Sequence, residues 1–181
     1  MLMTLLVISL VASLALGGVY NLTKDPIAAA DKAKQEAAIK EVVPEFDSLV
    51  MMKKISPDSP DSLIVVCVFR QGVKVGTAVE TFSKKGYDST PIKLMVGILP
   101  DHSINNIAVI QQKETPGLGT KMKDSKFKDQ FNGKNPGVFR MKVKKDGGEV
   151  DAISAATVSS RAFCDAVARA YETIKEAEEV Q

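Results

Sequence analysis

The sequence predicts an α+β fold with a largely antiparallel sheet, carried behind one N-terminal membrane-spanning helix. Three observations predict it. Residues 1–22, MLMTLLVISLVASLALGGVYNL, hold no charged side chain. Short apolar runs follow one another between residues 62 and 110, broken by Gly, Pro, Asp and Ser. Stretches of helix formers flank that region at 26–43 and 159–178. Strands grouped together with helices at both ends are the order of an α+β domain, not of an alternating α/β one.

The run 1–22 has the length that a helix needs to cross a bilayer. Its Leu, Ile and Val residues each favour the bilayer by a few tenths of a kcal/mol, and Tyr20 stands where an interfacial aromatic belongs. A cleaved signal peptide would want a basic n-region and a small-x-small cleavage site. The run has no such n-region, and Ala15-Leu16-Gly17 is a poor cleavage site, so an uncleaved anchor is expected. Lys24, Lys32, Lys34 and Lys40 follow the span, which by the positive-inside rule points to a cytoplasmic domain. That rule has little force for a long translocated domain.

Asp25-Pro26 reads as an N-cap with proline at the first helical position, opening a helix over 26–43 that Pro44 stops. We therefore divide the chain into an anchor at 1–22, a linking helix at 23–45 and one domain at 46–181. Pro57, Asp58, Ser59, Pro60 and Asp61 mark a loop. Residues 62–69 (SLIVVCVF) form a continuous apolar run, as in a strand buried on both faces. Gln71-Gly72 turns it into a second strand at 73–82. Two more strands, 92–99 and 104–110, are joined by Pro100-Asp101-His102-Ser103. Glu114-Thr115-Pro116-Gly117-Leu118-Gly119 is a loop. Residues 121–131 read as a short helix, 138–143 as a strand and Asp146-Gly147-Gly148 as a turn. The last helix, 159–178, places Phe163, Val167, Ala170, Tyr171 and Ile174 on one face.

Composition excludes several classes. The chain has 181 residues, 24 basic and 22 acidic, for a net charge of +2, which lacks the basic excess of a nucleic-acid binder. Two cysteines and one histidine in no zinc-like spacing predict no metal site. Cys67 and Cys164 read most simply as small core residues, with a disulfide as the alternative. His102 reads as a surface turn residue. No Ser-His-Asp or Cys-His arrangement is visible, so no catalytic residue is expected.

Two segments stand out. Ser154-Ala155-Ala156-Thr157-Val158-Ser159-Ser160 packs four hydroxyls and two alanines just before the last helix. Those hydroxyls could simply cap free N–H groups. They could also form an anion site, since a helix start offers unpaired donors and the positive end of a dipole. In 114–119, Thr115 before Pro116 is driven to extended backbone, and Pro116-Gly117 makes a turn. A turn explains all of it except Leu118 between two glycines, which suits the wall of a pocket.

Together these segments resemble a known family. Residues 150–160 (VDAISAATVSS) resemble the flavinylation motif of the FMN-binding domain family, Asp-x-x-Ser/Thr-Gly-Ala-Thr-x-Ser/Thr, through Asp151, Ser154, Ala156, Thr157 and Ser159. Ala155 departs from the usual glycine, and alanine cannot freely take φ > 0. ETPGLG and Lys85-Gly86-Tyr87 resemble two further elements of the flavin subunits of ion-pumping redox complexes. With the anchor and the NLTKDPI junction at 21–27, the chain is most similar to G subunits of Rnf complexes. The C subunit of the sodium-translocating NADH:quinone oxidoreductase is a close alternative. A stand-alone anchored FMN carrier and a non-redox anchored binding module are the others.

The resemblance implies a membrane-anchored electron-transfer subunit of a complex that couples ferredoxin:NAD electron transfer to Na+ or H+ translocation. It implies one FMN joined by a phosphoester to Thr157, made by a separate flavin transferase from FAD with AMP leaving. Ser154, Ser159 and Ser160 would help hold the phosphate, and Ala155, Ala156 and Val158 would be further cofactor-binding residues. Glu114, Thr115, Pro116, Gly117, Leu118 and Gly119 would line the isoalloxazine. The implied partners are the A, B, C, D and E subunits of the complex and the membrane, with no nucleic acid. The implied location is the cell inner membrane, single-pass, with the domain on the extracytoplasmic side, against the lysine count.

Overall fold

The computed structural model describes residues 2–56 and 59–179. The chain divides into two compact units, Met1–Glu36 and Ala37–Gln181.

Helix α1 (Leu2–Val42) makes up the first unit and continues into the second. It is 41 residues long. Every large apolar side chain from Leu2 to Leu22 is exposed, and the helix is long and apolar enough to cross a membrane. The expected helix start at Asp25-Pro26 does not occur, because Pro26 lies inside α1. Proline removes a single backbone donor, the one that would reach the Leu22 carbonyl, and the alanines at 28–30 sustain the helix beyond it. α1 ends at Val42, just before Pro44, as expected.

The second unit is built on five strands: β1 (Ser48–Ser56), β2 (Ser59–Arg70), β3 (Val73–Ser83), β4 (Ile92–Ile98) and β5 (Ile104–Gln111). They form one sheet in the order β1-β2-β3-β4-β5, each antiparallel to its neighbour. β1 is one strand more than the sequence reading places. β2 begins at Ser59, so Ser59 and Pro60 belong to a strand where a loop was expected; Pro57 and Asp58 lie outside the described residues.

The alternation of side chains across a strand divides the sheet into two buried faces. On one face Val65, Val79, Val96 and Ile107 run in register across β2 to β5. Helix α3 (Thr157–Glu179) covers them with Phe163, Val167, Ala170 and Ile174. Phe163 meets Phe127 and Phe131 edge-on or tilted, each at 5.1 Å between centroids. On the other face Val66, Val68, Ala78 and Met95 pack against Ala38, Ile39, Val42 and Val43. This double cover explains why 62–69 is apolar at almost every position. Gly97 lets the end of α1 approach, since a Cβ there would collide with the Val42 carbonyl.

Three expectations change. Residues 121–131 are not one helix but a 3-10 turn at Gly119–Lys123, a single turn α2 (Ser125–Lys128) and another 3-10 turn at Asp129–Phe131. Extended backbone at Asp124 breaks the run. Residues 138–143 form no strand. The N–H groups of Val138 and Phe139 are taken by the Asn135 carbonyl, and only a parallel bridge between Val143 and Val150 remains. His102, at φ 65°, is half-buried and stands edge-on to Tyr171 at 6.3 Å. Cys67 and Cys164 are free, and burial pushes the Cys164 thiol up to about 12.

Candidate functional site

A cavity of about 550 Å³ opens where three segments meet. One is the loop after β5, contributing Glu114, Thr115, Leu118 and Gly119. The second is the start of α3, contributing Ala155, Ala156, Thr157, Val158 and Ser159. The third is the β3–β4 connection, contributing Tyr87.

The start of α3 is shaped by a tight turn. Ala155 takes φ 60°, the left-handed conformation, although it carries a Cβ. The Ser160 hydroxyl accepts the Ile153 N–H at 2.9 Å and donates to the Ala156 carbonyl at 2.9 Å. The Ser159 hydroxyl donates to Glu114 Oε2 at 2.6 Å. Both serines are buried. Thr157 differs: it is half-buried, lines the cavity and makes no hydrogen bond with its hydroxyl among the described residues. The first backbone bond of the helix is Ser160 N–H to the Ala156 carbonyl, so the N–H groups of residues 157–159 precede the helical ladder.

Glu114 knits the three segments together. Its carboxylate is buried and accepts the Tyr87 N–H at 2.9 Å on Oε1 and the Ser159 hydroxyl on Oε2. Two glycines make room for it. A Cβ on Gly86 would stand 2.5 Å from Glu114 Oε1, and one on Gly119 would stand 2.5 Å from Ser159 Oγ.

Of the residues expected at the site, the structure brings nine to the cavity: Glu114, Thr115, Leu118, Gly119, Ala155, Ala156, Thr157, Val158 and Ser159. It does not bring Pro116, Gly117 or Ser160 there. Gly117, at φ 74°, shapes the turn, and Ser160 pins the backbone before α3. Ser154 lines a different cavity, with Lys121, Lys126 and Asp151. Tyr87 is the lining residue that site reasoning missed, although Lys85-Gly86-Tyr87 already stood out in the sequence.

The residues fit FMN. The cavity lies within the roughly 300–1,000 Å³ usual for small-molecule sites. Leu118, Val158 and Tyr87 offer apolar surface to a flat ring, Gly119, Ala155 and Ala156 admit close approach, and the start of α3 suits a phosphate.

Comparison with known proteins agrees with this chemistry. Residues 86–172 match the FMN-binding domain family. The G subunit of the ion-translocating oxidoreductase complex of Aliivibrio fischeri is 32% identical over 173 residues, covering 87% of this chain and 82% of the relative. The corresponding G subunit from Methanosarcina acetivorans is 33% identical over 175 residues, covering 94% and 91%. The crystal structure of Shewanella oneidensis NqrC superposes with a TM-score of 0.51 at 20% identity, over 78% of this chain and 74% of that one, and so shares its fold. With an apolar N-terminal helix, an antiparallel sheet and a cavity at the start of its last helix, the chain belongs to the family of G subunits of ion-translocating oxidoreductase complexes.

Proposed function

We propose that this chain is the membrane-anchored electron-transfer subunit of an Rnf complex and holds one FMN in the cavity, joined through its phosphate to Thr157 Oγ1. The observation that carries the site is the state of the hydroxyls at the start of α3. Ser159 and Ser160 are buried and committed to Glu114, Ile153 and Ala156, whereas Thr157 faces the cavity uncommitted. A flavin supplies one-electron chemistry, and the protein's part is to hold, orient and tune it. The N–H groups of the first turn of α3 would receive the phosphate charge, and Leu118 and Val158 would keep water from the ring. No catalytic residue is required, because a separate flavin transferase makes the bond. Residues 1–22 serve as the anchor and 23–45 as the linking helix of a flavin domain at 46–181. The domain lies on the extracytoplasmic side of the inner membrane, and its partners are the A, B, C, D and E subunits.

Relatives about a third identical over most of their length are G subunits, which favours this reading over the C subunit of the sodium-translocating NADH:quinone oxidoreductase. The intact mass of the full-length chain made with its transferase tests both ends at once. We expect the mass of the unprocessed chain plus one FMN less one water. A mass without that increment would refute the covalent site. A mass short by the first 22 residues would refute the anchor. Labelling a cysteine placed at Gln181 from outside intact cells tests the orientation, and failure to label would place the domain in the cytoplasm.

A further inference from the structure

We propose that Glu114 is a positioning residue rather than a contact of the flavin ring, and that it holds Tyr87 as the aromatic face of the cavity. The inference rests on the flavin reading of that cavity. The segment between β3 and β4 is fixed at its start by the Asp165 carboxylate of α3, which accepts the Ser83 hydroxyl at 2.7 Å and Lys85 Nζ at 2.6 Å. It is fixed in its middle by Glu114 Oε1, which accepts the Tyr87 N–H at 2.9 Å. Beyond that, Asp88 Oδ1 accepts the Thr90 N–H at 2.7 Å and closes a turn within the segment itself. The segment is thus tied to the fold at two points, Asp165 and Glu114, yet Tyr87 itself is 76% exposed. Among the described residues little packs over this ring, and it lines the cavity.

An ordered backbone presenting a free aromatic is a preorganised binding element, since the entropy of ordering it is already spent in folding. Both Glu114 oxygens are engaged inside the protein, one with Tyr87 and one with Ser159. The same carboxylate therefore sets the separation between Tyr87 and the turn of α3 that carries Thr157. Gly86 and Gly119 serve this arrangement, because a Cβ on either would stand within 2.8 Å of a Glu114 oxygen.

The test uses the full-length chain in detergent, made with and without its flavin transferase. The first readout, on the flavin-free chain, is amide exchange at Tyr87. We expect Glu114→Ala to accelerate it about tenfold or more, as loss of a hydrogen bond to a charged acceptor implies. Glu114→Gln keeps one acceptor oxygen and should fall between the two. Tyr87→Leu should leave the backbone protection at position 87 as it was. The second readout, on the flavin-loaded chain, is flavin fluorescence of the folded protein relative to the same sample denatured. An aromatic ring against the isoalloxazine quenches emission, so Tyr87→Leu and Glu114→Ala should both raise it several-fold.

Unchanged exchange in Glu114→Ala would overturn the positioning role. Unchanged fluorescence in Tyr87→Leu would overturn the aromatic face. If Glu114→Ala does not fold, Gly86→Ala displaces the carboxylate without removing it and must show the same accelerated exchange. A wild-type chain without flavin would defeat the flavin reading instead, and the exchange comparison would still decide the role of Glu114.

Discussion

Thr157, the proposed flavin anchor, and Ala155, with its left-handed backbone, share one turn. Because the Thr157 hydroxyl caps nothing among the described residues, Thr157→Ala should cost under about 0.5 kcal/mol, as for an ordinary surface substitution. If Thr157 bears the flavin as proposed, wild-type protein made with its transferase should keep a fluorescent flavin on a denaturing gel, and Thr157→Ala should not. Thr157→Ser keeps a hydroxyl but loses the methyl that restricts χ1, and should label partially. Flavin that survives denaturation in Thr157→Ala would move the attachment to another residue. Ala155 holds φ 60° against its own Cβ, a conformation that costs roughly 1–2 kcal/mol without glycine. Part of that would be offset by the greater freedom of glycine in the unfolded chain. Ala155→Gly should therefore stabilise the domain by about 0.5–1 kcal/mol, measured by denaturant unfolding, and a loss of stability would contradict the strain. The motif made this turn legible in the sequence, including the unease of alanine at that position. What it could not reveal was which hydroxyls are spent internally. Ser159 and Ser160 look alike beside Thr157 until Glu114, 45 positions away, and Ile153 are seen to claim them.

Among the elements, the middle strands of the sheet were the most legible, because burial on both faces leaves an apolar run that turn residues bracket. β1 was not legible. Its SLVMMKKIS lacks alternation, and Leu49, Val50, Met51, Met52 and Ile55 are all exposed, so no buried face wrote a period into it. Residues 138–143 misled in the opposite sense: their apolar spacing looks like a strand, but Asn135 takes the donors that a ladder would need. The tie between β3 and α3 through Asp165 has a pH dependence. Burial raises its carboxyl, but hydrogen bonds from Lys85 and Ser83, with the charges of Lys85 and Arg169, outweigh that and hold it below the usual value. A depressed carboxylate stabilises the fold above its unfolded pKa, near 4, and loses that contribution as pH falls through the folded value. Asp165→Asn should thus cost about 1–2 kcal/mol at pH 7, discounted for the exposed lysine, and the difference should vanish in acid. A mutational cost that does not change with pH anywhere in the acid range would exclude the charged tie.

For the whole molecule, two truncations distinguish anchor from core. Removing residues 1–22 takes away only exposed apolar side chains and should give a folded domain that needs no detergent. Removing residues 1–43 also strips Ile39, Val42 and Val43 from the sheet, each contributing about 1.5–3 kcal/mol by burial. That loss approaches the total of roughly 5–15 kcal/mol that holds a domain folded, so the shorter chain should aggregate or unfold. Circular dichroism and gel filtration of the two products check this, and a folded shorter product would show that the end of α1 is dispensable. The sequence placed the end of this helix correctly through Pro44 but divided it too early at Pro26, since proline is a boundary only where its neighbours favour stopping.

The order of the sheet also bears on synthesis. Each strand neighbours its predecessor, so pairing can keep pace with the emerging chain. The face formed by Leu63, Val79, Leu94 and Val96 nevertheless stays bare until α3, the last element, leaves the ribosome. The helix that bears Thr157 is thus also the lid of the core. A nascent chain that stops before it exposes a sticky sheet and falls to chaperones or proteases. If Thr157 bears the flavin as proposed, a chain cut short of its attachment site is also one that cannot close its core.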